Sequence, residues 1–235
     1  DKQVQIIIDE KVPIVFSSAG NPSTWTKHLK QHNIKVVHVV SSSKFAKKAE
    51  EAGCDAVVAE GFEAGGHNGR EETTTIVLVP LVAEAVKIPV IAAGGIATGK
   101  QMLAAMILGA EGVQIGSRFA VVDEASCHNN FKNAVVNATE GDTYLTLKQL
   151  TPVRLIKNDF FHEVVKAEKN CASKEELEQL LGKGRARKGI FEGDIIEGEL
   201  EIGQVSSLIK STGSVQSIMA EIWQEFKDTL RMPLK

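Results

Sequence analysis

Cysteine is scarce in this sequence and scattered. Cys54, Cys127 and Cys171 are an odd number, lie far apart and form no C-x-x-C pair, which argues against a disulfide framework and against a zinc site. No apolar run approaches the length of a membrane-spanning helix, and the N-terminus has none of the marks of a secretory leader. The expectation is a cytoplasmic protein with no membrane partner. Basic charge is not in excess either. Lysine and arginine number 27 against 30 acidic residues, for a net charge of −3, whereas a nucleic-acid binder is ordinarily basic; no nucleic-acid partner is expected. No G-x-G-x-x-G follows a strand. Gly94 to Lys100 spells G-x-x-x-x-G-K, but Gln101 stands where a phosphate-binding loop needs Ser or Thr to hold magnesium.

What is present is a regular alternation of apolar runs and amphipathic segments. Strands are predicted at residues 12–17, 36–40, 56–59, 89–93 and 112–115, and helices at 1–10, 23–32, 43–52, 76–86 (with Pro80 in its first turn) and 99–108. The strands are continuous β-branched runs that do not alternate with polar residues, the pattern of a parallel sheet buried on both faces. Strand–helix alternation of this kind means an α/β fold. Its near-constant period of about 20 residues favours a TIM-type (β/α)8 barrel. Five strands are visible, so the sequence is expected to start mid-barrel, its first three βα units absent. The reading divides the chain into 1–127, the last five units of the barrel, and 128–235, a helical extension packed on it. In that extension helices are predicted at 129–137, 151–168 and 215–230. A further helix opens at the Ser173-Lys174-Glu175-Glu176 capping box and stops at Gly182.

Residues 59–69 read A-E-G-F-E-A-G-G-H-N-G and follow the β-branched run at 56–59. Glycine allows the backbone to approach a ligand closely, and histidine moves protons near neutral pH. The stretch is either an active-site loop or a tight surface turn. The loops after the last two predicted strands read G-G-I-A-T-G from Gly94 and G-S-R-F from Gly116. Barrel enzymes often hold a phosphate in the loops after strands seven and eight, and exposed amides at a helix start attract it. Ser117 adds a hydroxyl donor. His28 and His32 lie one helical turn apart with no third ligand to complete a metal site, so no metal is expected. Lys183, Arg185, Arg187 and Lys188 form a basic run, either a solvated helix end or a docking patch for an acidic carrier or a nucleotide phosphate.

The motifs A-E-G-F-E-A-G-G-H-N-G, P-V-I-A-A-G-G-I-A-T-G and G-A-E-G-V-Q-I-G-S-R-F, in that order, resemble the nitronate monooxygenase (2-nitropropane dioxygenase) superfamily. Ser18-Ala19-Gly20-Asn21-Pro22 after the first strand resembles its flavin-containing enoyl-acyl-carrier-protein reductase II branch. The resemblance implies a non-covalent FMN on a TIM-type barrel and a homodimer. It places Glu60, Gly65 and Gly66 near the flavin, Gly94 and Gly95 in a first phosphate loop, Gln114, Gly116 and Ser117 in a second, and His67 as the catalytic histidine. It also implies that a first glycine-rich loop and an early Asn of the family have no counterpart here, so that these residues alone would hold FMN weakly. The activity expected is reduction of trans-2-enoyl thioesters, small or carried on an acyl-carrier protein, with NAD(P)H as co-substrate in fatty acid synthesis. Oxidation of alkyl nitronates with O2 is the alternative, and an inactive barrel fragment the second alternative.

Overall fold

The computed structural model describes residues 2–232. The chain divides into two compact units. The first comprises the described residues up to Gly61 together with Thr73–Ala93 and Ala104–Gln114. The second comprises Phe62–Glu72, Gly94–Leu103 and the described residues from Ile115 onward. Among the described residues no helix is long and apolar enough to cross a membrane.

The first unit is α/β. It opens with α1 (Lys2–Asp9); Asp1, where the sequence reading starts that helix, lies outside the described residues. Strands β1 (Ile14–Ser17), β2 (Lys35–Val40) and β3 (Ala56–Glu60) follow, with α2 (Thr26–Gln31) and α3 (Ser43–Glu51) between them. Strand β4 (Gly66–His67) belongs to the second unit. Helix α4 (Thr75–Ala85) leads to β5 (Val90–Ala93), and β6 (Gly112–Gln114) closes the series. The sheet order is β1-β2-β3-β5-β6 and every pairing is parallel. Because parallel neighbours need a crossover, each junction is spanned by a helix. One face of the sheet gathers Val37, Ala56, Val58 and Ala93. Residues one register over, Val36, Val57, Ala59 and Ala92, are fully buried, as are Ala46 and Ala49 of α3 and Leu78, Val79 and Val82 of α4. The continuous β-branched runs therefore mean what the sequence suggested. One detail differs: α4 begins at Thr75, so Pro80 falls in its second turn instead of its first. There it leaves the Ile76 carbonyl without its helical donor.

The second unit carries a three-stranded antiparallel sheet of order β4-β8-β7, formed by β4 (Gly66–His67), β7 (Thr143–Thr146) and β8 (Val153–Ile156). Its helices are α5 (Gly99–Ile107, which starts here), α6 (Ser117–Ala120), α7 (Asn129–Asn137), α8 (Asp159–Lys169), α9 (Lys174–Leu181), α10 (Arg185–Ile190) and α11 (Val215–Leu230). Val121, Phe131, Val135, Ile156, Leu200 and Ile202 form one apolar core, and Leu147, Phe160, Val164 and Leu177 another. The capping box at Ser173 is present in full.

Residues 151–168 are not one helix: they form strand β8, a break, and then α8. Pro152 supplies no N–H and biases the residue before it away from the helical region. Val153-Arg154-Leu155-Ile156 is a fully buried run between two partner strands. Asn158 then starts the helix afresh by accepting the Phe161 amide at 3.0 Å. Strands β4 and β7 and helix α10 also went unpredicted, since each is short and its periodicity too brief to read. Residues 233–235, at the end of the predicted extension, lie outside the described residues.

Candidate active site

In the first unit the predicted residues Glu60 and Gln114 stand in one row. Glu60 pairs with Ala93, and Ala93 with Gln114, at the C-terminal ends of β3, β5 and β6. Both side chains are half-buried. Burial pushes the Glu60 carboxyl up to about 7. A carboxyl at a strand end with a proton affinity near neutrality is a feature of functional sites more often than of structural ones.

In the second unit the 62–68 loop is fixed from several sides. Arg154 of β8 is almost wholly buried and donates its Nε and Nη2 to the Phe62 carbonyl at 3.1 and 3.0 Å. Asn68 donates its side-chain amide to the carbonyls of Ala64 and Gly66 at 3.0 and 2.9 Å, and its own backbone N–H to Pro152 at 2.8 Å. Gly65 packs backbone to backbone: a Cβ there would fall 2.4 Å from the Ile202 carbonyl carbon. These contacts bring Gly65 and Gly66 to one edge of β8 and leave His67, paired with Val153, exposed. Five histidines are otherwise engaged. His38 bonds Ser17, His32 bonds the His28 carbonyl, and His128 caps α7. The His28 and His162 rings lie against Trp25 and Phe161. Among the described residues His67 alone has neither a hydrogen bond nor a ring contact.

Both predicted phosphate loops, at Gly94–Gly95 and at Gly116–Ser117, lie in the second unit. The 202–204 segment ties them to the 62–68 loop. Gly203 donates its amide to Ser117 Oγ at 3.0 Å, and Gln204 donates to the Glu63 carbonyl at 2.9 Å. The Glu63 side chain lies against Gly95, whose φ of +69° is cheap only for glycine. Farther along, helix α5 is not open. The Ala97 amide is taken by Gln101 Oε1 and the Gly99 amide by Glu225 Oε2. The amides of Gly95, Ile96, Gly116 and Ser117, by contrast, have no acceptor among the described residues, and no side chain caps α6. A Cβ on Gly116 would meet nothing within 4 Å. Ser117 accepts one bond and keeps its hydroxyl proton to donate. Backbone donors without acceptors are costly unless water or a ligand takes them, and their pattern suits a phosphate.

Five contributors were given no role from the sequence. Asn68 and Glu63 lay inside the quoted motif with no role attached. Arg154 was assigned to a helix. Glu199 and Glu201 sat in a turn-rich stretch and were assigned no role, and burial raises the carboxyls of both. The only advance signal was charge in otherwise apolar runs. The basic run meets its counter-charges locally: Arg185 pairs with Glu197, Arg187 with Glu192 and Lys188 with Asp194.

The family model described as "Nitronate monooxygenase" matches residues 1–225. A probable nitronate monooxygenase of Staphylococcus saprophyticus subsp. saprophyticus is 38% identical over 173 residues, covering 68% of this chain and 48% of that protein. One from Staphylococcus aureus is 41% identical over 152 residues, 61% of this chain and 43% of that one. The chain thus spans about half the length of these curated relatives. Among solved structures, FabK from Thermotoga maritima superposes with a TM-score of 0.91 at 42% identity over 97% of this chain and 72% of its own. A nitroalkane oxidase from Streptomyces ansochromogenes gives 0.81 at 25% identity over 97% and 68%. This chain belongs to the nitronate monooxygenase family.

Proposed function

We propose that this chain is the flavin-holding part of an FMN-dependent oxidoreductase of the enoyl-acyl-carrier-protein reductase II type, built on a (β/α)8 barrel. The observation that carries the reading is the set of four amides at Gly95, Ile96, Gly116 and Ser117 with no protein acceptor, on loops anchored through Glu63 and Ser117. These amides, with the Ser117 hydroxyl, would hold the FMN phosphate, the first of the two loops opening at Gly94. The family resemblance adds Glu60, Gly65, Gly66 and Gln114 as flavin contacts. FMN, when bound, supplies a two-electron carrier between NAD(P)H and the β-carbon of an enoyl thioester. His67, exposed and without a hydrogen-bond partner, supplies or orients the proton that the α-carbon takes up. An acyl-carrier-protein-bound substrate, a homodimer and a cytoplasmic setting belong to the same proposal.

A second reading has its own support, since both curated relatives named above are called probable nitronate monooxygenases. There His67 would take a proton from a neutral nitroalkane. The two separate in paired assays with FMN supplied, the first anaerobic and the second in air. Thioester-dependent oxidation of NAD(P)H, using a crotonyl thioester, supports the reductase. Oxygen uptake with propionate 3-nitronate and no response to the nicotinamide supports the monooxygenase. With the enoyl thioester, or with a neutral nitroalkane in the second reading, His67→Gln is expected to cut turnover by roughly 10²–10⁴-fold with flavin binding retained. Unchanged turnover removes His67 from the chemistry.

A further inference from the structure

Resting on the reductase reading of the site, we propose that the outer face of α3, with Phe45 at its centre, is the surface on which an acidic acyl-carrier protein docks.

The face is set by the spacing of the helix. Ala46 and Ala49 are fully buried, so Lys44, Lys47, Lys48 and Glu51, three and four residues apart, stand together on the exposed side. Phe45, the one large apolar side chain of α3, is 46% exposed beside them. A surface hollow of about 780 Å³ lies over this face, lined by Ser43, Lys44, Phe45, Lys47, Lys48 and Glu51.

The charge of the face is not answered by the protein. Among the described residues none of the three lysines makes an ion pair or a side-chain hydrogen bond. Glu50 is turned away and accepts the amides of Lys87 and Ile88 at 2.6 and 3.2 Å. Only Glu51, at the far end of the helix, opposes the cations. No acid stands in the first turn of α3 and Lys44 does, which sets a cation against the positive end of the helix. That arrangement serves something other than the helix itself. The basic run at 183–188 differs in kind, because Arg185, Arg187 and Lys188 are each paired with a carboxylate.

The face is also at the correct end of its unit. Helix α3 starts shortly after Val40, the last residue of β2, and Val40 pairs with Ala59, the neighbour of Glu60. The first turns of α3 therefore rise from the end of the sheet where Glu60 and Gln114 stand. Unpaired lysines draw in an acidic surface and orient its approach. An exposed aromatic among them supplies the apolar anchor. A carrier that must leave after each turnover needs no larger interface.

The test is isothermal titration of purified holo-acyl-carrier protein into this chain with FMN supplied, which needs no turnover. Lys44→Glu/Lys47→Glu and Phe45→Ala alter only exposed side chains, and each is expected to weaken binding about 10-fold or more. Lys183→Glu/Arg187→Glu should leave binding unchanged. Raising salt from about 50 to about 300 mM should weaken it several-fold. KM for a carrier-bound crotonyl thioester should rise in the α3 variants, while KM for a small uncharged crotonyl thioester stays put. Absence of binding by the parent chain overturns the proposal, as does parental affinity in the α3 variants. An equal loss from Lys183→Glu/Arg187→Glu, or an equal rise in KM for both thioesters, overturns it too. So does binding of phosphatidylserine vesicles through α3 in place of the carrier, which would assign the face to a membrane surface. A chain that binds the carrier through α3 but reduces no enoyl thioester fails the reductase reading. One that reduces the small thioester without binding the carrier fails the docking proposal, so the two failures are distinguishable.

Discussion

Arg154 grips Phe62 twice, donating two hydrogen bonds to its carbonyl and laying its guanidinium carbon 4.8 Å from the centre of its ring. A buried strand thereby holds the start of the loop that presents His67. Arg154→Met should cost about 2–4 kcal/mol, since it strands a partly buried carbonyl and loses a cation–π contact. Lysine, with one point donor, should recover only part of that. Urea unfolding measures both, and a loss below about 0.5 kcal/mol in Arg154→Met would mean the grip contributes little.

Gly65 and Gly116 should respond in opposite ways. Alanine at Gly65 puts a methyl 2.4 Å from the Ile202 carbonyl carbon and 2.5 Å from the Gly203 nitrogen, backbone atoms that cannot rotate away. The melting temperature should fall by several degrees, equivalent to about 1–3 kcal/mol. Alanine at Gly116 meets no protein atom within 4 Å, and its φ of −93° is ordinary. That variant should melt like the parent yet bind FMN more weakly, because the methyl enters the space assigned to the phosphate. Equal melting temperatures for both variants, or unaltered FMN binding in Gly116→Ala, would count against this placement.

Much of this was legible beforehand for one physical reason: parallel strands buried on both faces write themselves as unbroken β-branched runs. That pattern located all five strands of the first unit and, through them, the loops bearing Gly95, His67 and Ser117. What was not legible depends on partners distant in sequence. Val153–Ile156 is a strand because β4 and β7 flank it, and nothing local distinguishes it from the helix that follows. Arg154, 92 residues from Phe62, carries no sign of its role. The openness of the Gly95 and Gly116 amides, against the closed ones at Ala97 and Gly99, turns on Gln101 and on Glu225 of α11, which spacing alone does not reveal.

Stability should depend on pH through Glu60 and Glu199, whose carboxyls burial lifts to about 7. A raised folded-state value means the folded protein holds the proton more tightly than the unfolded chain. Each contribution is complete below the ordinary carboxylate range and is lost as pH rises through about 7, by an upper limit of roughly 3 kcal/mol per group. His38 acts with the opposite sign, because burial and then Lys48 lower it, and its contribution is lost as pH falls below its ordinary value. Comparing Glu199→Gln with the parent isolates the carboxyl. The variant should gain on the parent between pH 5 and pH 8, by about 1–3 kcal/mol in chemical unfolding. A constant difference across that range would show that Glu199 ionises as freely in the folded protein as in the unfolded one.

If the unpaired amides of Gly95, Ile96, Gly116 and Ser117 hold a phosphate, the protein must tell FMN from riboflavin, which lacks that group. Titrating it with each, followed by quenching of flavin fluorescence, gives the ratio whatever the absolute affinity. With two or more charge-assisted bonds at stake, FMN is expected to bind about 100-fold more tightly or better. Equal affinities for the two flavins would contradict the assignment of the loops and, with it, the reading of the site.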